Sequence, residues 1–524
     1  MPPTITLGNH ITLETIEQLL EWNHRIDLDA ACLEKVDKAS LYIKNKAESG
    51  EVIYGVTTWF GANSHRVIDP QDAGKLQKNL LLSHATGVWK PFPKKVVRLA
   101  IILRIVNFLH GHSWVRREIV EFLARMFNED ITPVVPSQWS VWASGDLAPL
   151  SHIGIVLLGE WEVLYQNQQI KSQKLFQQLW RKPIELTYKE WLALNNGTTF
   201  ITAQWLINLL ESKKLSFLAD MIASISLESQ AWRSTAFDQK PHNLRPHSWQ
   251  IETAENIRNF LVWSRLFGID PSQIPWKKVS PQDAYSLRCI PQVHGATKNA
   301  LTHIENILMV EANSVTDNPL IFVDEDEVIS AGNFHGQPVA LIMDYLKISI
   351  AELWSISERR SAKLVDPNHN EWLPAFLEGN TTEPGLHSWF MIPQYVAAAL
   401  VSENKVLCHP ASCDSIPTSA NIEDHVSMWT IAARQAWEII DNVYRVLSIE
   451  LLLAIQAIDL RKKSYWSFDI WASTNAVYTT IREHISFMEH DRYIAPDIEK
   501  MESLIRTRNI NTLKRTIETQ SKLI

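Results

Sequence analysis

The sequence predicts a mainly α protein: a long-helix central bundle with an N-terminal domain that carries a short Ala-Ser-Gly loop. Three observations predict it. Apolar residues recur at helical spacing over most of the chain. Several of the periodic stretches exceed 25 residues, which suits long packed helices better than a globule of short ones. Pro and Gly cluster between the stretches, at Pro133-Val-Val-Pro136, Asp366-Pro367, Pro384-Gly385 and Pro410 to Pro417.

Taken in order, helices are expected over 13–43, 94–127 and 201–233, then over 339–362, 394–407 and 427–460. No internal repeat or low-complexity segment interrupts them. The expected organisation is an N-terminal domain over 1–200, the central bundle over 201–464 and a smaller C-terminal helical cap over 465–524. A chain of 524 residues with 46% hydrophobic content can bury a large core. The net charge is −8 and no Lys/Arg run stands out, which argues against nucleic acid as a partner. The opening MPPTITLGNHITLETIEQLLEW lacks a basic region followed by an apolar one, so no signal peptide is expected. The most apolar stretch, Val446 to Leu460, contains Ser448, Glu450, Gln456 and Asp459. It is too short and too polar to span a bilayer, and no membrane association is expected. Cys32, Cys289, Cys408 and Cys413 show no metal or redox spacing, which fits a cytoplasmic protein. His110 and His112 are spaced like metal ligands but have no acidic partners in the pattern. They read as structural, and no metal is expected.

The chemistry concentrates in Trp142-Ala143-Ser144-Gly145-Asp146-Leu147-Ala148-Pro149-Leu150-Ser151-His152. Gly145 has no Cβ, so its amide nitrogen can approach the Ala143 carbonyl carbon. Ala143 is too small to obstruct that attack. Ser144 can lose its hydroxyl as water and leave an exocyclic methylene. The product is a five-membered ring with an electron-poor alkene, a strong electrophile that no standard side chain supplies.

This segment resembles the signature of the aromatic amino acid ammonia-lyases, the histidine and phenylalanine ammonia-lyase family. The resemblance runs from about residue 50 to about residue 500. Tyr54-Gly-Val-Thr-Thr-Trp-Phe-Gly, Asn195-Asn196-Gly197-Thr198 and Gln282-Asp-Ala-Tyr285-Ser-Leu-Arg288 all look like family blocks. So do Ser314 to Leu320, Gly332-Asn333-Phe334-His335-Gly336 and Asp414 to Met428. The resemblance implies that Ala143-Ser144-Gly145 cyclise autocatalytically to 4-methylideneimidazole-5-one (MIO), with no external cofactor. It implies a small-molecule amino acid substrate and a homotetramer whose active sites are shared between subunits. Tyr54 matches the catalytic base. Such a role at neutral pH requires a phenol lowered from its usual value near 10. Asn196 and Tyr285 would hold the ring-forming segment or the oxyanion that develops on its carbonyl. Arg288 can grip a substrate carboxylate through a bidentate fork. Gln282 adds a polar contact, and Phe334 would stack near the electrophile and the substrate.

Two residues bear on the substrate. His84, in Leu82-Ser83-His84-Ala85, matches the Ser-His pair of the histidine-type enzymes. Glu423 matches their Glu, a carboxylate suited to an imidazole. The expected reaction is elimination of ammonia from L-histidine to give trans-urocanate. Two features depart from that type. Ile422 replaces the usual Gln, and Thr57-Thr58 with Ala62 to Arg66 looks more like the phenylalanine-type inner loop. The alternatives are a phenylalanine or tyrosine ammonia-lyase, an aminomutase of the same family, or a non-catalytic paralogue.

Glycine is scarce, 17 of 524 residues, while tryptophan reaches 21. Ordinary usage would put glycine near 7%. Trp59, Trp89, Trp114, Trp139, Trp142, Trp161, Trp191, Trp354, Trp389 and Trp429 stand where family members usually have Gly, and Trp249 and Trp372 are placed with them. Drift would scatter replacements among many residue types. One repeated type suggests a codon, UGA, read as glycine by the source organism and written here as tryptophan.

Overall fold

A computed structural model describes residues 2–21, 23–53, 56–59, 72–138, 145–179, 181–262, 264, 267, 282–380, 382–383, 385–464 and 472–507. Tyr54, Ala143 and Ser144 lie outside these residues, as do Trp139 and Trp142. The structure is mainly helical, as the periodicity predicts. Four long helices, Thr199–Ser229, Ile290–Ala312, Gln337–Val365 and Trp429–Ser464, are its backbone. Among the described residues, no helix is long and apolar enough to cross a membrane.

Two expected helices are broken. The stretch over 13–43 forms one helix at Leu13–Leu20 and another at Ala30–Glu48, with a strand, Arg25–Leu28, between them. That strand pairs in parallel with Thr4–Leu7, and the Asn128 carboxamide bonds both backbone groups of Ile26 at 2.8 and 2.9 Å. Asp29 caps the second helix by accepting from Cys32 N at 2.8 Å. The stretch over 94–127 divides into Lys94–Leu109 and Arg117–Asn128. Gly111 makes the turn, with φ +81° and Lys35 Cβ only 2.7 Å from where a side chain would begin.

The chain forms two compact units, each built from separate stretches. The first comprises Met1–Ile207, Ile304–Asp344 and Pro410–Arg434. Its Lys94–Leu109 helix is buried on every side from Val96 onward, and the Leu147–Leu157 helix from Ala148 onward. Helices buried on every face belong at the centre of a core. Short sheets edge this unit. One is the Glu162–Tyr165 and Gln168–Lys171 hairpin, whose two turn residues, Gln166 and Asn167, are both left-handed.

The second unit comprises Asn208–His303, Tyr345–His409 and Gln435–Ile524. It buries charge with partners. Glu450 accepts from Arg360 Nε and Nη2 at 2.6 and 2.8 Å, and from Ser226 and Ser357 at 2.7 and 2.6 Å. Asp220 accepts from Lys298, His294 and Asn256 at 2.5, 2.8 and 2.9 Å. Burial would raise the Asp220 carboxyl, but Lys298 and His294 hold it at about 2.

Four tryptophans have left-handed backbones: Trp89 at φ +79°, Trp161 at +71°, Trp372 at +67° and Trp389 at +52°. All four are among the positions where the sequence suggests glycine. Trp114, Trp191 and Trp429 are instead fully buried, with Trp429 edge-on to Trp205 at 4.6 Å.

Candidate functional site

In the first unit, Asn196 stands next to the glycine that pairs with the C-terminal end of the Ala-Ser-Gly segment. Gly145 and Gly197, at φ +87° and +121°, pair as an isolated parallel bridge. A Cβ on Gly145 would stand 2.6 Å from Gly197 N, so the two backbones meet only because both side chains are absent. Asp146 extends the contact. Its N–H donates to Gly197 O at 2.7 Å, and its carboxylate accepts from Phe200 N and Ile201 N at 2.7 and 3.1 Å. Those amides belong to the first turn of the Thr199–Ser229 helix, where N–H groups have no partner within the helix. Burial pushes the Asp146 carboxyl well above the usual range, against the two amides and the Arg104 charge, which lower it.

Asn196 follows the short Glu190–Asn195 helix. Its N–H donates to Leu192 O at 2.8 Å and its carbonyl accepts from Arg104 Nη2 at 2.6 Å. Its side-chain oxygen is buried without a hydrogen-bond partner among the described residues. The next residue, Thr198, is held twice: its N–H donates to Thr316 Oγ1 at 3.1 Å and its hydroxyl to the Glu311 carboxylate.

His84 ends the Ala73–His84 helix. Its Nδ1 lies 2.7 Å from Leu80 O, and a carbonyl can only accept. The neutral ring therefore carries its proton on Nδ1. Burial lowers the His84 pKa, while the Leu80 bond and the Glu423 charge raise it. Glu423 closes a tight turn with Thr418, whose hydroxyl donates to its carboxylate at 2.9 Å. Ser419, Ala420 and Asn421 in that turn are all left-handed. Phe334 is half-buried in the 331–336 loop, and the neighbouring His335 stacks on His425 at 5.8 Å with rings 3° from parallel.

In the second unit, Gln282, Tyr285 and Arg288 stand together around a one-turn helix, Tyr285–Arg288. Tyr285 is 72% exposed, and the Arg288 guanidinium lies over its ring at 4.7 Å. Arg288 Nε is buried without a hydrogen-bond partner among the described residues. It lines a cavity of about 330 Å³ with Arg233, His242, Gln282, Asp283 and Gln292. A partly desolvated guanidinium with an unmet donor at a cavity wall has the chemistry to take an anion.

The profile of the family described as aromatic amino acid lyase matches residues 11–483. A histidine ammonia-lyase from Bacillus cytotoxicus is 45% identical over 504 residues, covering 96% of this chain and 97% of the relative. Another from Caldanaerobacter subterraneus is 43% identical over 510 residues, covering 97% and 98%. The chain belongs to the aromatic amino acid lyase family. Among solved structures, the histidine ammonia-lyase from Trypanosoma cruzi matches with TM-score 0.87 and 35% identity, covering 98% of this chain and 95% of that one. A tyrosine aminomutase from Streptomyces globisporus matches with TM-score 0.90 and 33% identity, covering 99% and 98%.

Sequence reasoning about this aromatic amino acid lyase missed the residues that hold the site. Arg104 sits in the apolar run KKVVRLAIILRIVNFL, where it reads as an interruption. Asp146 lies inside the Ala-Ser-Gly motif but was assigned no part, and Asp283 likewise inside the Gln-x-x-Tyr block. Asp283 accepts from Arg233 N at 3.1 Å. A charged residue within an otherwise apolar or motif segment was the available signal. His112 donates Nδ1 to Ile321 O at 2.7 Å, in keeping with a structural role.

Proposed function

We propose that the chain eliminates ammonia from L-histidine to give trans-urocanate, using MIO formed autocatalytically from Ala143-Ser144-Gly145. The observation that carries the histidine reading is that His84 and Glu423, an imidazole and a carboxylate at the histidine-type positions, belong to the same compact unit. A neutral imidazole and a carboxylate in one unit suit the ring of a histidine better than a phenyl ring. The relatives at 43% to 45% identity, both named histidine ammonia-lyase, support the same reading.

The residues fit the cofactor. Gly145 occupies a backbone conformation and a close approach that exclude a side chain. The buried Asn196 carboxamide has an unmet oxygen and can orient beside a carbonyl. When formed, MIO supplies an electrophile for the substrate's amino group. Arg288 receives the carboxylate and fixes the substrate's orientation. Tyr285, stacked with Arg288, and Gln282 complete that seat. Phe334 packs against the substrate. Tyr54 takes the β-proton. A homotetramer brings these groups together from different subunits, and the enzyme acts in the cytoplasm.

Two variants test the reading with urocanate and cinnamate absorbance as readouts. Ser144→Ala removes the methylene source and abolishes turnover. Glu423→Ala slows histidine about 10- to 100-fold more than phenylalanine, because only an imidazole loses a charged acceptor. Equal losses on both substrates, or a wild type that prefers phenylalanine or tyrosine, would sink the histidine assignment. A β-amino acid product would identify an aminomutase instead.

A further inference from the structure

Arg104 has no place in the chemistry above, yet its guanidinium is fully buried beside the loop that carries it. We infer that Arg104 is a positioning residue for cofactor formation: it holds the turn against which Gly145 is set. The inference rests on the MIO reading. Arg104 Nη2 donates to two carbonyls of one turn, Ala193 O and Asn196 O, the latter at 2.6 Å. Its Nη1 lies where a Cβ on Gly197 would come within 2.8 Å. One nitrogen bonded to both carbonyls, on a guanidinium fixed by burial, sets the direction of the peptide between Asn196 and Gly197. The next peptide carries Gly197 O, which accepts from Asp146 N, and Gly197 pairs with Gly145. Burial lowers the guanidinium to about 10, while Asp317 and Asp146 support its charge. It therefore stays cationic at neutral pH, so its donors persist while the ring closes. Thr316 grips the same turn from the other side through Thr198 N.

Cyclisation needs the Gly145 nitrogen held close to the Ala143 carbonyl, and a displacement near 1 Å can cost about 100-fold in rate. The experiment follows the mass of the 143–145 peptide, which falls by about 36 Da when two waters leave. It runs on folded Arg104→Lys and Arg104→Met protein, with tetramer formation and circular dichroism checked. Folded variants should accumulate the uncyclised peptide, while activity per cyclised chain stays at the wild-type value. Complete cyclisation in both variants overturns the inference, as does a loss of activity per cyclised chain. If neither variant folds, Thr316→Val decides, with slower cyclisation expected and unchanged cyclisation overturning the proposal. An uncyclised wild type would instead overturn the MIO reading on which this rests.

A different observation carries a second inference. Trp89 is 69% exposed, so its indole gains little packing to offset a left-handed backbone. The geometry at 89, 161, 372 and 389 assigns glycine to these positions in the protein the organism makes, from UGA codons. Sequencing the gene should find UGA at all four. Peptide masses from protein purified from the source organism should carry glycine there. UGG codons, or tryptophan in those peptides, would overturn it.

Discussion

Two sets of left-handed residues in the first unit differ in what forbids a side chain. At Gly145 and Gly197 both the conformation and the space require glycine, since a Cβ would meet backbone or buried polar atoms at 2.6 to 2.8 Å. At Trp89 only the conformation does, because the side chain projects into solvent. The first kind of site is rigid because its neighbours are packed against it. The second is strained but uncrowded, so the fold can be built with the wrong residue in place. Crowding and conformation are separate costs, and the two regions separate them.

The largest effect is expected where the costs combine. Gly197→Ala would place a methyl 2.8 Å from Arg104 Nη1 and Thr316 Oγ1 and 2.9 Å from Thr316 O, at a φ that alanine avoids. It should cost on the order of 3 kcal/mol or more and leave 143–145 uncyclised. Denaturant unfolding and peptide mass measure the two losses. A stable, fully cyclised Gly197→Ala protein would erase the distinction between the regions.

His152 sharpens it from the other side. Its Nε2 accepts from Gly87 N at 3.1 Å, and its ring lies 4.7 Å from Trp161. Burial lowers the imidazole to about 4. The unfolded chain takes up this proton from about pH 6.5 downward, but the folded chain only near 4. Stability should therefore fall as pH drops through that window, by about 3 kcal/mol in full from this group. His152→Gln should flatten that part of the pH profile. An unchanged slope would show that the histidine is not held neutral in the fold.

The smallest effect isolates conformation alone. Trp89→Gly should stabilise recombinant protein by about 1 kcal/mol, read as a raised Tm, because an L-residue in the left-handed region costs roughly 1–2 kcal/mol. Destabilisation by this change would mean that the indole contributes packing after all.

Much of the helical fold was legible in the sequence. The long helices at 199–229, 337–365 and 429–464 follow from apolar spacing sustained over many turns, and their ends fall within a few residues of the expected ones. The breaks at 21–28 and 110–116 were not legible. The first depends on Asn128, about a hundred residues away, and the second on a glycine pressed against Lys35. The candidate site divides the same way. Its motif residues could be picked out one by one, since amide, phenol, guanidinium and carboxylate each have a recognisable chemistry. The residues that hold them could not.

The sequence by itself determined the helical class, the family and the Ala-Ser-Gly tripeptide, because periodicity and local motifs are properties of neighbouring residues. Only the tertiary structure decided that Arg104, Asp146, Gly197 and Thr316 converge on one turn. It alone also decided that His84 and Glu423 fall in one compact unit, and that four tryptophans take a backbone suited to glycine. Those facts depend on burial and on contacts between segments up to several hundred residues apart, and no local pattern encodes which distant group will arrive.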